Sequence, residues 1–233
     1  MKYLKKILLI LLLIILSITA LLVGKGYEMY REAIKETPLE EKVNEIKSRA
    51  NYTELSEVPQ TYINAVISVE DHRFYKHSGI DIIAIGRALI NDIKAMDFVE
   101  GGSTITQQIA KNEYFTQEKK ITRKIAEVFM AFAMEKAWNK ELILELYVNT
   151  IYYGDGYDTP KEATNGYFAK EPSQMNANES ILLAGIPNAP SAYAPTKNFR
   201  LAKERQKQVI AKMIKYGYLT EEEAEQILTG KKE

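Results

Sequence analysis

The chain has 233 residues, with Lys plus Arg and Asp plus Glu both at 31, so its formal net charge is zero. That balance excludes a globally basic nucleic-acid binder and leaves any anion binding to local clusters. The absence of cysteine excludes disulfides, thiol nucleophiles and thiolate metal sites.

The N-terminus reads Met1-Lys2-Tyr3-Leu4-Lys5-Lys6 and then runs apolar from Ile7 to Val23. As a helix this run is roughly 26 Å long at ~1.5 Å per residue, close to the ~30 Å hydrocarbon core of a bilayer. The lysines ahead of it, against Lys25 and Glu28 behind, place residues 1–6 in the cytoplasm. A cleaved signal peptide competes with this assignment. The apolar run exceeds the usual ~7–15 residues of such a peptide, and Gly24-Lys25-Gly26 is a poor cleavage site, so an uncleaved anchor over 7–23 is favoured.

Residues 24–51 form a charged juxtamembrane segment with a helical pattern from Tyr27 to Ser48. Thr37-Pro38-Leu39-Glu40 reads as an N-cap, a proline at the first helical position and a returning glutamate. A solvated spacer helix and a segment with its own role both fit. From Pro59 onward, Tyr62, Ala65, Val66 and Val69 share one helical face. After Gly79, Asp81 caps a helix with an apolar side of Ile82, Ile85, Gly86, Leu89 and Ile93. Asp97 to Gly102 reads as a mobile loop entering a helix that Thr104 and Gln107 open as a capping box. The next helix carries Ile121, Ile125, Val128, Phe129 and Phe132 on one face. Asn139 caps another, with Leu142, Ile143, Leu146 and Tyr147 inward. Further helix starts stand at Thr159, Asn176 and Thr220. Alternating strand-type runs are short and rare, so the sequence predicts one all-α domain over 52–228 behind a single anchor.

Three segments carry candidate chemistry. Glu70-Asp71-His72-Arg73-Phe74-Tyr75-Lys76-His77-Ser78-Gly79 places paired acids at a helix end. The negative end of the helix dipole and a neighbouring carboxylate suit a proton acceptor, although an isolated Glu-Asp pair is most often a solvated terminus. Gly101-Gly102-Ser103-Thr104-Ile105-Thr106-Gln107-Gln108, with Lys111 two turns on, is either a set of caps or an anion site approached through the glycines. Arg123-Lys124-Ile125-Ala126-Glu127 offers an i,i+4 pair that by default is a surface ion pair worth a few tenths of a kcal/mol. His72 and His77 lack the partners of a zinc site, and His77 is read as a hydrogen-bonded structural residue.

The ordered set resembles the peptidoglycan glycosyltransferases of glycosyltransferase family 51, found as monofunctional enzymes and as the N-terminal domain of class A penicillin-binding proteins. The match runs from about Tyr52 to Met213 through five motifs. Three are the segments above; the fourth is Lys140-x-x-Ile143-Leu144-x-x-Tyr147-Val148-Asn149 and the fifth Arg205-x-x-x-Val209-Ile210-x-x-Met213. The resemblance implies a lysozyme-like, two-lobed glycosyltransferase domain with a membrane-proximal smaller lobe, on a single N-terminal transmembrane helix. It implies lipid II and the growing glycan strand as substrates, with the catalytic domain on the outer face of a bacterial cell membrane. The membrane and other cell-wall synthesis proteins are the implied partners, and nucleic acid is not.

By the same resemblance Glu70 is the general base and Glu127 the second essential glutamate. Asp71, Ser103, Thr104, Gln107, Gln108, Lys111, Lys119, Arg123 and Lys124 fall at substrate-binding positions. Tyr147 and Asn149 match positions expected to be mainly structural. Lys119 stands where many members carry arginine; it keeps the charge and loses the bidentate fork. No metal ligand set is expected. No cofactor is required, while a divalent cation, Mg or Mn, at the pyrophosphate is compatible with the residues. Ser-x-x-Lys and Lys-Thr-Gly are absent from the sequence, so strand polymerisation without crosslinking is expected. The competing readings are a hydrolytic or lytic muramidase on the same scaffold and an inactive cell-wall-synthesis anchor protein.

Overall fold

The computed structural model describes residues 2–95, 101–116, 118 and 120–229. Lys119 and residues 97–100 of the expected loop lie outside the described residues. Among the described residues every regular element is helical and no strand occurs.

Helix α1 (Lys2–Glu36) runs without interruption from the apolar segment into the charged one. It is the one described helix long and apolar enough to cross a membrane. Helix α2 (Leu39–Lys47) follows, and its N-cap is Pro38, with no side-chain cap bond. The expected Thr37 cap is therefore corrected: Thr37 N–H still bonds Ala33 O at 3.0 Å, so its backbone closes α1 instead of opening α2. Nor is this segment a free spacer. Ile46 and Lys42 are buried, Tyr30, Ala33 and Ile34 pack on the core, and Arg49 Nη2 donates to Glu113 Oε2 at 2.5 Å.

Helix α3 (Gln60–Glu70) is the centre of the larger lobe, with Tyr62, Ala65, Val66 and Val69 all buried. It packs on α9 (Ala177–Gly185) and α11 (Phe199–Lys215). Helices α5 (Ile105–Tyr114), α6 (Ile121–Ala137) and α7 (Lys140–Val148) close the other side. Helices α8 (Pro160–Phe168), α10 (Pro190–Tyr193) and α12 (Glu221–Thr229) complete the lobe. The expected caps are present: Thr104 with Gln107 on α5, Asn139 on α7, Thr159 on α8 and Asn176 with Glu179 on α9. Each satisfies a helix-start N–H that otherwise has no partner.

Two helices depart from simple amphipathic expectation. In α6 the residues turned to the core are Ala126, Met130, Ala131 and Met134. The face read from the sequence instead meets α1: Ile125 lies on Gly26, and Phe129 packs edge-on to Tyr27 at 5.1 Å between centroids. Ile121 and Phe132 stay exposed. Helix α4 (Ile82–Ala95) buries only Ala88 and presents Ile82, Ile83, Ile85, Leu89, Ile90 and Ile93 outward, Ile82 being 74 % exposed. It forms the smaller lobe, opposite α11 across a cleft. The α6 pattern was a second packing surface, and the α4 pattern is a surface with no protein cover.

Candidate active site

Glu70 is the last residue of α3 because Asp71 leaves the helix at φ −155°, ψ 74°. The buried run from Ala65 to Val69 behind it fixes its place, and its carboxylate opens on a cleft of about 230 Å³. Gln108, on the second turn of α5, donates from Nε2 to Glu70 Oε2 at 2.8 Å. Tyr147 of α7 in turn donates its hydroxyl to Gln108 Oε1 at 3.5 Å. Burial, with the charge of Glu70 adding to it, pushes the Tyr147 hydroxyl well above its ordinary value, so it stays a donor. The Gln108 amide is thereby oriented with its nitrogen toward the acid, and one oxygen of Glu70 remains for a proton.

Asp71 faces the other way. Its carboxylate is buried, with His77 Nε2 2.9 Å from Oδ2 and the Ile105 N–H donating to the same oxygen at 3.1 Å. This bridges the end of α3 to the start of α5. Gly79, at φ +97°, returns the chain there: a Cβ would lie 3.1 Å from the Ala131 backbone, and its carbonyl accepts from Thr104 Oγ1 at 2.6 Å. Lys140 ties down the same turn, donating to His77 O and to Glu135, both at 2.8 Å.

The start of α5 is internally satisfied. Thr104 N–H donates to Gln107 Oε1, Gln107 N–H to Thr104 Oγ1, and Ile105 N–H to Asp71. Three backbone donors at this helix start thus already have protein partners, one of them Asp71, which leaves mainly side chains to meet an anion. Thr104, Gln107 and Asp71, three of the expected substrate contacts, are buried within this scaffold. Ser103 instead lines the cleft, and its Oγ accepts from Lys124 Nζ at 2.6 Å. Lys124 also donates to Glu127 Oε2 at 2.9 Å, and Arg123 donates to Glu127 Oε1. Glu127 is fully buried while Lys124 is 47 % exposed, so one sunken carboxylate holds two cations: Lys124, bonded to Ser103 at the cleft, and Arg123, which lines a separate pocket beside Glu32 and Glu36 of α1. Lys111 lies on α5 outside the lining of the cleft.

Among the described residues no group of three or more His, Asp or Glu stands together as a metal site. Glu127, the carboxylate nearest the cations, is already engaged by both.

The cleft also brings in groups to which sequence reasoning gave no role. Arg205 and Lys212, two turns apart on α11, line it together with Asn188, Tyr216, His72 and Arg87. Arg205 has its guanidinium pushed down by burial, with the charge of Glu70 opposing that shift. His72 stacks on Tyr216 at 4.1 Å between centroids, and its pKa is lowered by burial and then by Arg87. The i,i+7 spacing of Arg205 and Lys212 was the available signal, since it puts two cations on one helical face.

An all-α, two-lobed domain with Glu70 facing the cleft between its lobes has the lysozyme-like architecture. The chain belongs to the transglycosylase family, whose match covers residues 36–214. Penicillin-binding protein 1F of Bacillus subtilis (strain 168) is 42% identical over 170 residues, 73% of this chain and 24% of the relative. Penicillin-binding protein 1A of Aquifex aeolicus (strain VF5) is 40% identical over 186 residues, 78% of this chain and 26% of the relative. Penicillin-binding protein 1A of Neisseria gonorrhoeae is 40% identical over 182 residues, 78% of this chain and 23% of the relative. The chain thus spans about a quarter of the length of these relatives.

Proposed function

We infer that this chain is a peptidoglycan glycosyltransferase that polymerises lipid II into linear β-1,4 glycan strands. The observation that carries the reading is the pairing of one oriented carboxylate, Glu70, with a cation cluster reached through Ser103 on the same cleft. Glu70 takes the proton of the acceptor 4-hydroxyl, whose oxygen attacks C1 of the donor N-acetylmuramic acid. The C1–O bond to the pyrophosphate breaks, the configuration inverts from α to β, and undecaprenyl pyrophosphate leaves with its added charge facing Lys124 and Arg123. Arg205 and Lys212 sit on the α11 side of the cleft, where they serve the other bound chain. Crosslinking is not assigned to these residues, since the sequence holds no Ser-x-x-Lys nucleophile.

Membrane attachment through α1, with residues 1–6 in the cytoplasm and the domain outside, fits a substrate confined to the bilayer. The uncovered apolar face of α4 suits contact with lipid beside the cleft. The reading is tested by incubating the protein separately with lipid II and with purified cell wall. Polymer from lipid II and no soluble fragments from the wall is the expected result. Fragments released from the wall without polymer identify a muramidase instead.

A further inference from the structure

Helix α1 does more than tether the domain, because it docks on the helix that carries the cation cluster. From Tyr3 onward, Gly26 is the first buried residue along α1, after an exposed apolar stretch. A Cβ there would lie 2.6 Å from Ile125 Cγ2, 2.7 Å from Ile125 Cβ and 3.0 Å from Thr122 O. No side chain fits at those distances, so the close approach of the two helices requires glycine. Gly24, two residues earlier, has nothing within 4 Å, so the requirement is local to the crossing. Tyr27 and Tyr30 then clasp Phe129, with ring centroids 5.1 and 6.0 Å apart. The residues gripped by α1, Thr122, Ile125 and Phe129, alternate along α6 with Arg123, Lys124 and Glu127.

The crossing point has a defined height. The apolar run ends at Val23, so Gly26 lies ~4.5 Å further along the axis at ~1.5 Å per residue. A headgroup layer is roughly 5–8 Å thick on each side of the hydrocarbon core. The α1–α6 contact therefore falls within that layer, at the depth of a lipid-linked phosphate.

We propose that the Gly26–Ile125 crossing is a depth gauge that fixes the Arg123–Lys124–Glu127 cluster at the level of the substrate's pyrophosphate in the bilayer. Gly26 is thus a positioning residue for the transfer reaction. The proposal rests on the transferase reading, yet its first readout does not depend on activity. The wild-type chain has no cysteine, so Ile121→Cys, at the exposed start of α6, gives one site for a spin label. Label depth is measured in anionic-lipid vesicles for Ile121→Cys alone, with Gly26→Ala, and with Gly26→Ala plus Ile125→Gly. The last pair removes both side-chain atoms that an added Cβ would strike.

Gly26→Ala is expected to shift or broaden the label's depth and to lower polymerisation in vesicles by on the order of tenfold or more, since ~1 Å of misplacement can cost ~100-fold. Turnover in detergent micelles, where no fixed bilayer height exists, is expected to stay within about threefold of Ile121→Cys alone. The compensating Ile125→Gly is expected to restore depth and vesicle turnover together. An unmoved label overturns the proposal, as does an equal loss in vesicles and micelles or a depth change without loss in vesicles. A wild type inactive in both settings would instead refute the transferase reading and leave the depth result standing.

Discussion

Replacing Glu127 by glutamine tests whether the buried carboxylate organises the cations. The substitution keeps the shape, removes the charge and turns a donating amide toward Arg123 or Lys124, both of which are donors already. A charge-assisted hydrogen bond contributes ~1.5–3 kcal/mol, and that range applies to Arg123, whose side chain is only 13 % exposed. Lys124 is nearly half exposed, so its share falls in the ~0–1 kcal/mol range of surface pairs. The sum is a stability loss of ~1.5–4 kcal/mol, read as a lower midpoint in urea unfolding. Binding of a pyrophosphate-bearing donor analogue should weaken by ~2–5 kcal/mol in calorimetry, because the cations lose their common anchor. Adding Arg123→Gln removes the unpaired cation and should recover much of the stability without recovering donor binding. If Glu127→Gln leaves both stability and donor affinity within ~0.5 kcal/mol of wild type, the cluster is an ordinary surface ion pair and the reasoning fails.

Glu70→Gln should lower polymerisation by ~10²–10⁴-fold, as expected for loss of a general base, with the unfolding midpoint and donor affinity little changed; near wild-type turnover would remove Glu70 from the chemistry. Deleting residues 1–24 takes away no buried side chain among the described residues, so the remainder should fold and act in detergent yet work poorly on vesicle-bound substrate, where confinement raises effective concentration. Equal activity in both settings would show that the anchor only localises the protein. His72 has its pKa lowered from 6.5 by burial and then by Arg87, so the unfolded chain binds its proton more readily. The stability this contributes is present above about pH 6.5 and is lost as pH falls through the lowered folded value. His72→Gln should therefore flatten the fall in unfolding midpoint between about pH 7 and about pH 5, and unchanged slopes would refute the assignment.

Helix starts were legible because each is written locally: a Thr or Asn with a reciprocal Gln or Glu three residues later, as at Thr104 and Asn176, or a single Thr cap before a proline, as at Thr159. Glu70 and the cation pair were legible as ordered motifs. What the sequence could not supply was which surface each apolar stripe meets. In α6 one stripe of small and flexible residues, Ala126, Met130 and Met134, enters the core, while the bulkier stripe meets α1 from another part of the chain. Nor could spacing show that Arg205 and Lys212 share a cleft with Glu70, since they are more than a hundred residues apart and joined only by the packing of α11 on α3. Thr37 misled because the Pro-Leu-Glu run after it mimics a cap, while its own N–H had already been taken by α1.

The adjacent acids Glu70 and Asp71 show how one backbone step divides two roles. Glu70 keeps helical geometry and points into the cleft, whereas Asp71 leaves the helix and turns to His77 and the start of α5. An anion at a helix N-terminus is favoured by the dipole, so Asp71 satisfies the very position that a ligand phosphate would otherwise seek. In the proposed transfer, that leaves the leaving group to side chains held by Glu127. It also locks the end of α3 to the start of α5, and therefore holds Glu70 to Gln108 across the two helices. Rigidity between proton acceptor and donor-side helix is what an inverting displacement demands, since attack and departure must stay in line while the cations receive the charge. Under the proposed transfer, Asp71, buried between the end of α3 and the start of α5, is a positioning carboxylate for Glu70.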